Sequence, residues 1–123
     1  MTVTGPDFIA LQVHDLEKAA TFYEDVVGLT RAPFSPPHAV VFDTQPTFAV
    51  RAPGPGVDLE AGPAGLGVAL WLHDPDAMAL HETVAAAGAV VVQTPFDGPF
   101  GKTFVFQDLD GYLVTVHDRA TRG

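Results

Sequence analysis

The sequence predicts an α+β fold made of two tandem modules, each with the element order βαβββ. An alternating strand, a His-Asp pair and an amphipathic helix that ends at glycine occur at 8–28 and recur at 67–88. Three short strand-like runs follow each of these helices. A segment rich in proline and glycine lies near the middle of the chain. The predicted organisation is one domain, 1–123, with module one at 7–52, a linker at 53–65 and module two at 66–118.

The first strand of each module has one aliphatic face and one mixed face. The aliphatic faces are Ile9, Leu11 and Val13 in module one and Val68, Leu70 and Leu72 in module two. The mixed faces are Phe8, Ala10 and Gln12 in module one and Gly67, Ala69 and Trp71 in module two. Because successive side chains of a strand point to opposite faces, each aliphatic set is expected to pack against a helix. The mixed sets suit the wall of a ligand cavity.

The helices have recognisable ends. Asp15 is the predicted N-cap of the first helix, and Asp74-Pro75 is the predicted start of the second. Gly28 and Gly88 supply the C-terminal stops. The strands predicted after the helices are 30–34, 38–43 and 47–51 in module one and 90–93, 102–107 and 112–117 in module two, with a loop over 94–101.

Composition and charge exclude several classes of function. With 47% hydrophobic and 17% charged residues, the chain has the composition of a globular protein. A formal charge of −9 repels nucleic acids and anionic membranes and mildly favours cationic ligands. The absence of cysteine excludes disulfides, thiolate metal sites and cysteine nucleophiles. No signal peptide or apolar run of about 20 residues is visible, so we expect a cytoplasmic protein.

Three short motifs, in this order and together with the internal repeat, resemble those of the vicinal oxygen chelate superfamily. That superfamily includes glyoxalase I, extradiol dioxygenases, fosfomycin-resistance enzymes and bleomycin-binding resistance proteins. The motifs are Val13-His14-Asp15-Leu16, Phe22-Tyr23-Glu24-Asp25-Val26-Val27-Gly28-Leu29 and Phe106-Gln107-Asp108-Leu109-Asp110-Gly111-Tyr112. Leu109 stands where the family usually has proline. The resemblance covers 7–118 and implies a cupped, open mixed sheet with helices outside, a ligand in the cup, and a homodimer.

The resemblance also implies where an enzyme of this family would hold its metal. Such enzymes use His, Glu or Gln on four strands, and the positions that correspond here are Phe8, Ala49 or Val50, Gly67 or Val68, and Thr115. None of these side chains is an adequate ligand for a transition metal. His38 and His117 could supply two ligands at most. We therefore expect no metal, no cofactor and no catalytic residue of the family's kind.

The cavity face is expected to bind a small molecule instead. The candidate site residues are Phe8, Gln12, Phe34, Phe42, Phe48, Trp71, Phe100, Phe104, Thr115 and His117. Aromatic planes beside small residues suit a flat aromatic or polycyclic ligand. Trp71 is the strongest candidate, because Gly67 and Ala69 leave space beside it. For any single phenylalanine, ordinary core packing is the competing interpretation.

The leading hypothesis is a binding protein that confers resistance by sequestering an aromatic antibiotic or metabolite, without metal-dependent catalysis. The acidic charge is compatible with a cationic ligand, and no nucleic-acid or membrane partner is expected. One alternative is a glyoxalase-like lyase or isomerase, or a dioxygenase, with a non-standard site. The other is a regulatory or partner-binding module. Stoichiometric metal binding with turnover would indicate the first alternative, and the lack of any small-molecule site would favour the second.

Overall fold

Each half of the chain folds around its own β-sheet in the computed structural model, which describes residues 2–121. The fold is α+β, and its two units divide between Ala61 and Gly62. The first unit contains β1 (Phe8–Gln12), α1 (Leu16–Thr21), a π-helix (Phe22–Val27), β2 (Ala39–Phe42) and β3 (Thr47–Arg51). The second contains β4 (Leu70–His73), α2 (Ala77–Ala86), β5 (Val91–Gly98), β6 (Gly101–Gln107) and β7 (Leu113–His117).

The sheet of the first unit has the order β1-β3-β2, with β1 parallel and β2 antiparallel to β3. Paired residues share a face of the sheet. The pairs Ile9–Phe48 and Phe42–Phe48 therefore place both phenylalanines on the aliphatic face of β1. Tyr23 covers this face, with its ring centroid 5.1 Å from that of Phe48 and 6.4 Å from that of Phe42. The core of the first unit lies between these aromatic rings.

The first helix changes its winding partway. Asp15 is its N-cap, as predicted, and its Oδ1 accepts a hydrogen bond from the backbone N–H of Lys18 at 3.1 Å. From Phe22 onward the helix is a π-helix, and it ends at Gly28, whose φ of 95° suits glycine. The guanidinium of Arg31 donates to Glu17 at 2.9 Å and to Glu24 at 3.0 Å. The hydrogen bond to Glu17 is the largest cause of the raised pKa of Arg31.

The strand predicted at 30–34 is reduced to a single bridge between Arg31 and Phe42. Two backbone hydrogen bonds flank this bridge, from Ala32 to Val41 and from Asp43 to Thr30, each 2.8 Å long. Pairing then stops because prolines follow at 33, 36 and 37, and proline has no N–H to donate. The backbone N–H of Val41 instead donates to the side-chain hydroxyl of Ser35 at 2.9 Å.

The sheet of the second unit has the order β4-β7-β6-β5, with β4 parallel to β7 and the other pairs antiparallel. The strand pairing puts six apolar side chains on one face, and α2 packs against this sheet at β5 and β6. These six are Leu70, Leu72, Phe104, Phe106, Val114 and Val116. The ring of His81 on α2 lies 5.2 Å from that of Phe104, centroid to centroid. We call this the helix-covered face and the opposite one the open face.

Two boundaries in the second unit, the start of β4 and the N-cap of α2, differ from the predictions. β4 begins at Leu70 rather than at 67, because the chain turns at Gly65, whose carbonyl accepts from the N–H of Val68. The N-cap of α2 is Asp76, and Asp74 instead accepts a hydrogen bond from the N–H of Asp76 at 2.8 Å.

Most of the loop predicted over 94–101 is strand, since β5 continues to Gly98 and turns directly into β6. Two register irregularities interrupt the pairing of β5 with β6 on either side of Gln93. An edge strand with such irregularities tolerates Pro95. Among the helices of residues 2–121, none combines the length and the apolar character needed to span a bilayer.

Candidate ligand-binding site

Four aromatic and imidazole rings meet on the open face of the second unit. The ring centroid of Trp71 lies 6.1 Å from that of Phe100 and 5.5 Å from that of His117. His117 is also 5.9 Å from Phe100 and 5.8 Å from His73. Three of the contacts are edge-on and the His73–His117 contact is tilted. We call Trp71, His73, Phe100 and His117 the ring cluster.

Strand register explains why these rings meet. Trp71 on β4 pairs with Thr115 on β7, and His73 pairs with His117 two residues further along. His117, which lies on β7, also pairs with Thr103 on β6. All five side chains therefore lie on the open face. Trp71 is 47% exposed and Phe100 is 38% exposed, whereas His117 is only 3% exposed, so the cluster has accessible rings around a buried imidazole.

Phe100 is positioned by the turn between β5 and β6 and by the chain that follows β7. The carbonyl of Phe100 accepts from the backbone N–H of Arg119 at 3.0 Å, and Oδ1 of Asp118 accepts from the N–H of Lys102 at 2.9 Å. Gly101 has a φ of 86°, and a Cβ there would collide with the Asp118 carboxylate. Both the positive φ and the nearby carboxylate therefore favour glycine at this position. The ammonium of Lys102 donates to Asp97 at 2.7 Å, which raises the pKa of Lys102.

The two histidines of the cluster are held by backbone carbonyls. Nδ1 of His117 lies 2.8 Å from the carbonyl oxygen of Arg119, and Nε2 of His73 lies 3.3 Å from that of Asp118. A carbonyl oxygen only accepts hydrogen bonds, so these two nitrogens carry the protons. The chain after β7 therefore orients both imidazoles as well as Phe100.

The exposed candidate residues of the first unit form no comparable group. Phe8 is 53% exposed and lies with Ala10 and Gln12 on the face of β1 opposite the core. Oε1 of Gln12 accepts a hydrogen bond from the backbone N–H of Gly54 at 2.7 Å. Phe34 is 75% exposed. In this unit Phe8 and Phe34 are separate exposed side chains rather than a cluster.

Three aromatic candidates lie on the other side of their sheets from the positions predicted for them. Phe42 and Phe48 pack beneath Tyr23, and Phe104 packs beneath α2 with its ring stacked 5.9 Å from Phe106. Their exposures are 0%, 4% and 0%. The reason is the parity of the strand positions, since each pairs with a residue of the aliphatic face. Their position is that of core residues.

Three residues on the open face were missed as candidates. His73, the histidine of the second His-Asp pair, belongs to β4 and completes the ring cluster. Phe96, which is 41% exposed, was placed in a loop, whereas it pairs with Thr103 in the sheet. Thr103 itself is 3% exposed. Alternation through 94–98 would have indicated Phe96, had the proline not suggested a loop.

The residues present do not fit the metal of the family's enzymes. Thr115 lies beside Trp71 on the open face, Phe8 is apolar, and Gly67 and Val68 precede β4. Across the part of the chain that the structure describes, no three His, Asp or Glu side chains gather closely enough to hold a metal ion. No chemical step through a metal follows from this arrangement.

Comparisons with known proteins agree with the duplicated fold. The family model described as Glyoxalase/Bleomycin resistance protein/Dioxygenase superfamily matches residues 5–116 of the sequence. TnmS3, an antibiotic binding protein from Streptomyces sp. CB03234, is similar in structure with a TM-score of 0.76 and 22% identity. That match covers 98% of this chain and 99% of TnmS3. The sequence has no significant match among curated proteins.

Two further solved structures show how widely the fold is shared. TioX from Micromonospora sp. ML1 has a TM-score of 0.68 and 22% identity, covering 94% of this chain and 100% of its own. A glyoxalase-related enzyme from Fulvimarina pelagi has a TM-score of 0.74 and 21% identity, covering 94% and 88%. At these identities the similarity concerns the fold. The function has to be argued from the residues on the open face.

Proposed function

The chain belongs to the glyoxalase/bleomycin resistance protein/dioxygenase superfamily, and from that premise we propose that it is a binding protein for a flat aromatic small molecule. The observation that carries the proposal is the ring cluster on the open face of the second unit. The proposed binding residues there are Trp71, Phe100, Thr115 and His117, joined by His73. Phe8, Gln12 and Phe34 remain proposed binding residues of the first unit.

The exposure of the rings supports a binding role. A tryptophan that is 47% exposed and a phenylalanine that is 38% exposed leave much apolar surface in water. Adjacent exposed aromatic surface on a soluble protein commonly marks a binding site. A planar ligand would bury this surface and stack against the rings, which stabilises the complex by burial and by ring contact.

The chemistry of the site supports binding rather than catalysis. The positions at which enzymes of this superfamily hold a metal carry Phe8, Ala49 or Val50, Gly67 or Val68, and Thr115. These side chains offer nothing that would bind a divalent ion as a Lewis acid. A structural neighbour, TnmS3, is an antibiotic binding protein on the same fold.

The proposal extends to resistance by sequestration of an aromatic antibiotic or metabolite. The net charge of −9 supports a ligand that is cationic or carries an amine. We also propose a homodimer, on the family resemblance, and keep the cytoplasmic location expected from the sequence as a proposal. Light scattering coupled to gel filtration tests the dimer, and a mass of one chain at micromolar concentration would exclude it.

Trp71 is the only tryptophan in the chain, so its fluorescence reports on the site directly. Titration with a panel of aromatic antibiotics should give saturable quenching with at least one member. Trp71→Ala should weaken calorimetric binding of that member by more than about tenfold, because stacking and burial are both lost. Leu109→Ala, at a 61% exposed hairpin position, is the matched control and should bind normally.

The competing enzyme hypothesis predicts different results. Protein purified without metal and reloaded with Zn²⁺, Ni²⁺, Mn²⁺ or Fe²⁺ would bind one ion per chain and turn over a substrate. That outcome would replace the binding-only proposal. An absence of any saturable response across the antibiotic panel, with Trp71→Ala indistinguishable from the wild type, would refute binding at this site.

A further inference from the structure

We infer that the ligand carries a hydrogen-bond donor, an O–H or N–H group on its aromatic ring, and that Nε2 of His117 accepts this hydrogen bond. The inference rests on the proposed function and adds a chemical class to it. The selected ligands would be hydroxylated or N–H-bearing polycyclic aromatics. Their fully alkylated analogues would be rejected.

The tautomer of His117 follows from its hydrogen bond. Nδ1 lies 2.8 Å from the carbonyl oxygen of Arg119, and a carbonyl oxygen has no proton to give. Nδ1 therefore carries the proton. In the neutral imidazole the other nitrogen then has a free lone pair. Nε2 of His117 is an acceptor.

That acceptor is available to a ligand. Within residues 2–121, the hydrogen bond from Nδ1 to the carbonyl of Arg119 is the only one that the His117 side chain makes. The residue as a whole is only 3% exposed. In the same part of the chain, however, every fully buried side-chain nitrogen or oxygen has a hydrogen-bond partner, and Nε2 has none. Nε2 therefore keeps contact with solvent in an otherwise buried side chain. A ligand that covers it must supply a donor, since a buried acceptor without a hydrogen-bond partner weakens the complex.

The surroundings favour a donor at the edge of the ligand's ring system. The centroids of Trp71, His73 and Phe100 lie 5.5, 5.8 and 5.9 Å from that of His117. A flat ring stacked on Trp71 or Phe100 brings the atoms at its edge toward the imidazole. Thr103, the neighbour of His117 on β6, donates its hydroxyl proton to the carbonyl of Gly101 at 3.0 Å.

In each of two pairs of test ligands, a methyl group replaces the hydrogen of the donor. They are 9-phenanthrol with 9-methoxyphenanthrene, and carbazole with N-methylcarbazole. Binding is measured by quenching of Trp71 in the wild-type protein. In at least one pair the donor should bind about tenfold more tightly than its methylated partner, as expected for a satisfied against an unsatisfied acceptor. The pair that discriminates also tells O–H from N–H recognition.

Two substitutions at the same position assign the effect to Nε2. An asparagine amide reaches the position of Nδ1 and can still donate to Arg119, so His117→Asn keeps the anchor and loses the acceptor. A glutamine amide oxygen reaches the position of Nε2, so His117→Gln restores an acceptor. The preference for the donor should fall to below about twofold in His117→Asn and persist in His117→Gln.

Each outcome decides between the two proposals. Equal binding of both members of both pairs overturns the donor inference and leaves aromatic binding intact. Preference that survives in His117→Asn, with its circular dichroism unchanged, also overturns it. Failure of all four ligands to bind would count against both the donor inference and the proposed function. The ligand pairs decide the question in the wild type even if a substitution prevents folding.

Discussion

The two units follow one plan but use their aromatic residues differently. In the first, Tyr23, Phe42 and Phe48 pack together in the core, and the other side of β1 carries a single aromatic residue, Phe8. In the second, Phe104 and Phe106 fill the core. There, Trp71, His73, Phe100 and His117 form a separate cluster on the open face. Core packing is thus common to both units, whereas a ring cluster is particular to the second.

This difference shows that strand parity, rather than residue type, decides which aromatic side chains pack in the core and which lie on the open face. Phe104 and His117 lie on neighbouring strands, yet Phe104 faces α2 and His117 faces the opposite side. A shift of one position along the strand exchanges the two roles. Substitutions on the helix-covered face should therefore mainly lower the free energy of unfolding. Those on the open face should mainly weaken ligand binding.

The largest effect on stability is expected for Phe104→Ala. Its ring is fully buried against Phe106 and His81, so its removal should lower the free energy of unfolding by about 3–5 kcal/mol. Trp71→Ala, on the open face, should lower it by no more than about 1 kcal/mol. Urea denaturation followed by circular dichroism measures both. Equal losses would contradict the assignment of the two faces.

Gly101→Ala should cost about 2 kcal/mol or more, because the added Cβ meets the Asp118 carboxylate at a positive φ. Gly88→Ala is the matched control: its φ is 85°, but the added Cβ has open space, so it should cost about 1 kcal/mol. Ligand affinity should fall only in Gly101→Ala, since Phe100 adjoins the displaced turn. Thermal melts and Trp71 titrations of both variants test this pair.

Asp76→Ala should destabilise the second unit by about 1 kcal/mol, because it removes the N-cap of α2. Asp74→Ala should cost less, since Asp74 accepts a single hydrogen bond in the turn before the helix. Comparison of the two melting temperatures decides which aspartate is the cap. A larger loss for Asp74→Ala would restore the assignment made from the sequence.

The smallest effect is expected for Phe8→Ala. Phe8 is 53% exposed, so the free energy of unfolding should change by less than about 0.5 kcal/mol. Ligand affinity should fall by about threefold or less, compared with more than about tenfold for Trp71→Ala. Calorimetry with the same ligand measures both. A loss as large as that of Trp71→Ala would place the first unit at the centre of binding.

Much of this architecture was predictable because the repeat, the strand alternation and the helix stops are local signals. Asp15 as a cap, Gly28 as a stop and the aliphatic face of β1 are examples that the structure confirms. The second cap was missed because Asp74 and Asp76 both stand before the helix. A local pattern does not tell which of two aspartates accepts the N–H of Ala79.

The site was less predictable because it depends on pairing between strands. Trp71 and His117 are distant in sequence and meet only through the parallel register of β4 with β7. The faces on which Phe42, Phe48 and Phe104 lie could be assigned only from the exact strand pairing, which composition does not reveal. Phe96 could be placed on the open face only with the knowledge that an edge strand continues past Pro95.

The segment Asp118–Arg119 has a consequence for how ligand preference can diverge among relatives. Hydrogen bonds with its backbone and with its carboxylate position Phe100, the turn at Gly101 and the imidazole of His117. Insertions or substitutions there would change the spacing and tilt of the rings while the proposed ligand-binding residues stayed the same. Comparison of ligand-contacting positions alone would then underestimate how far two relatives have separated in the compounds they accept.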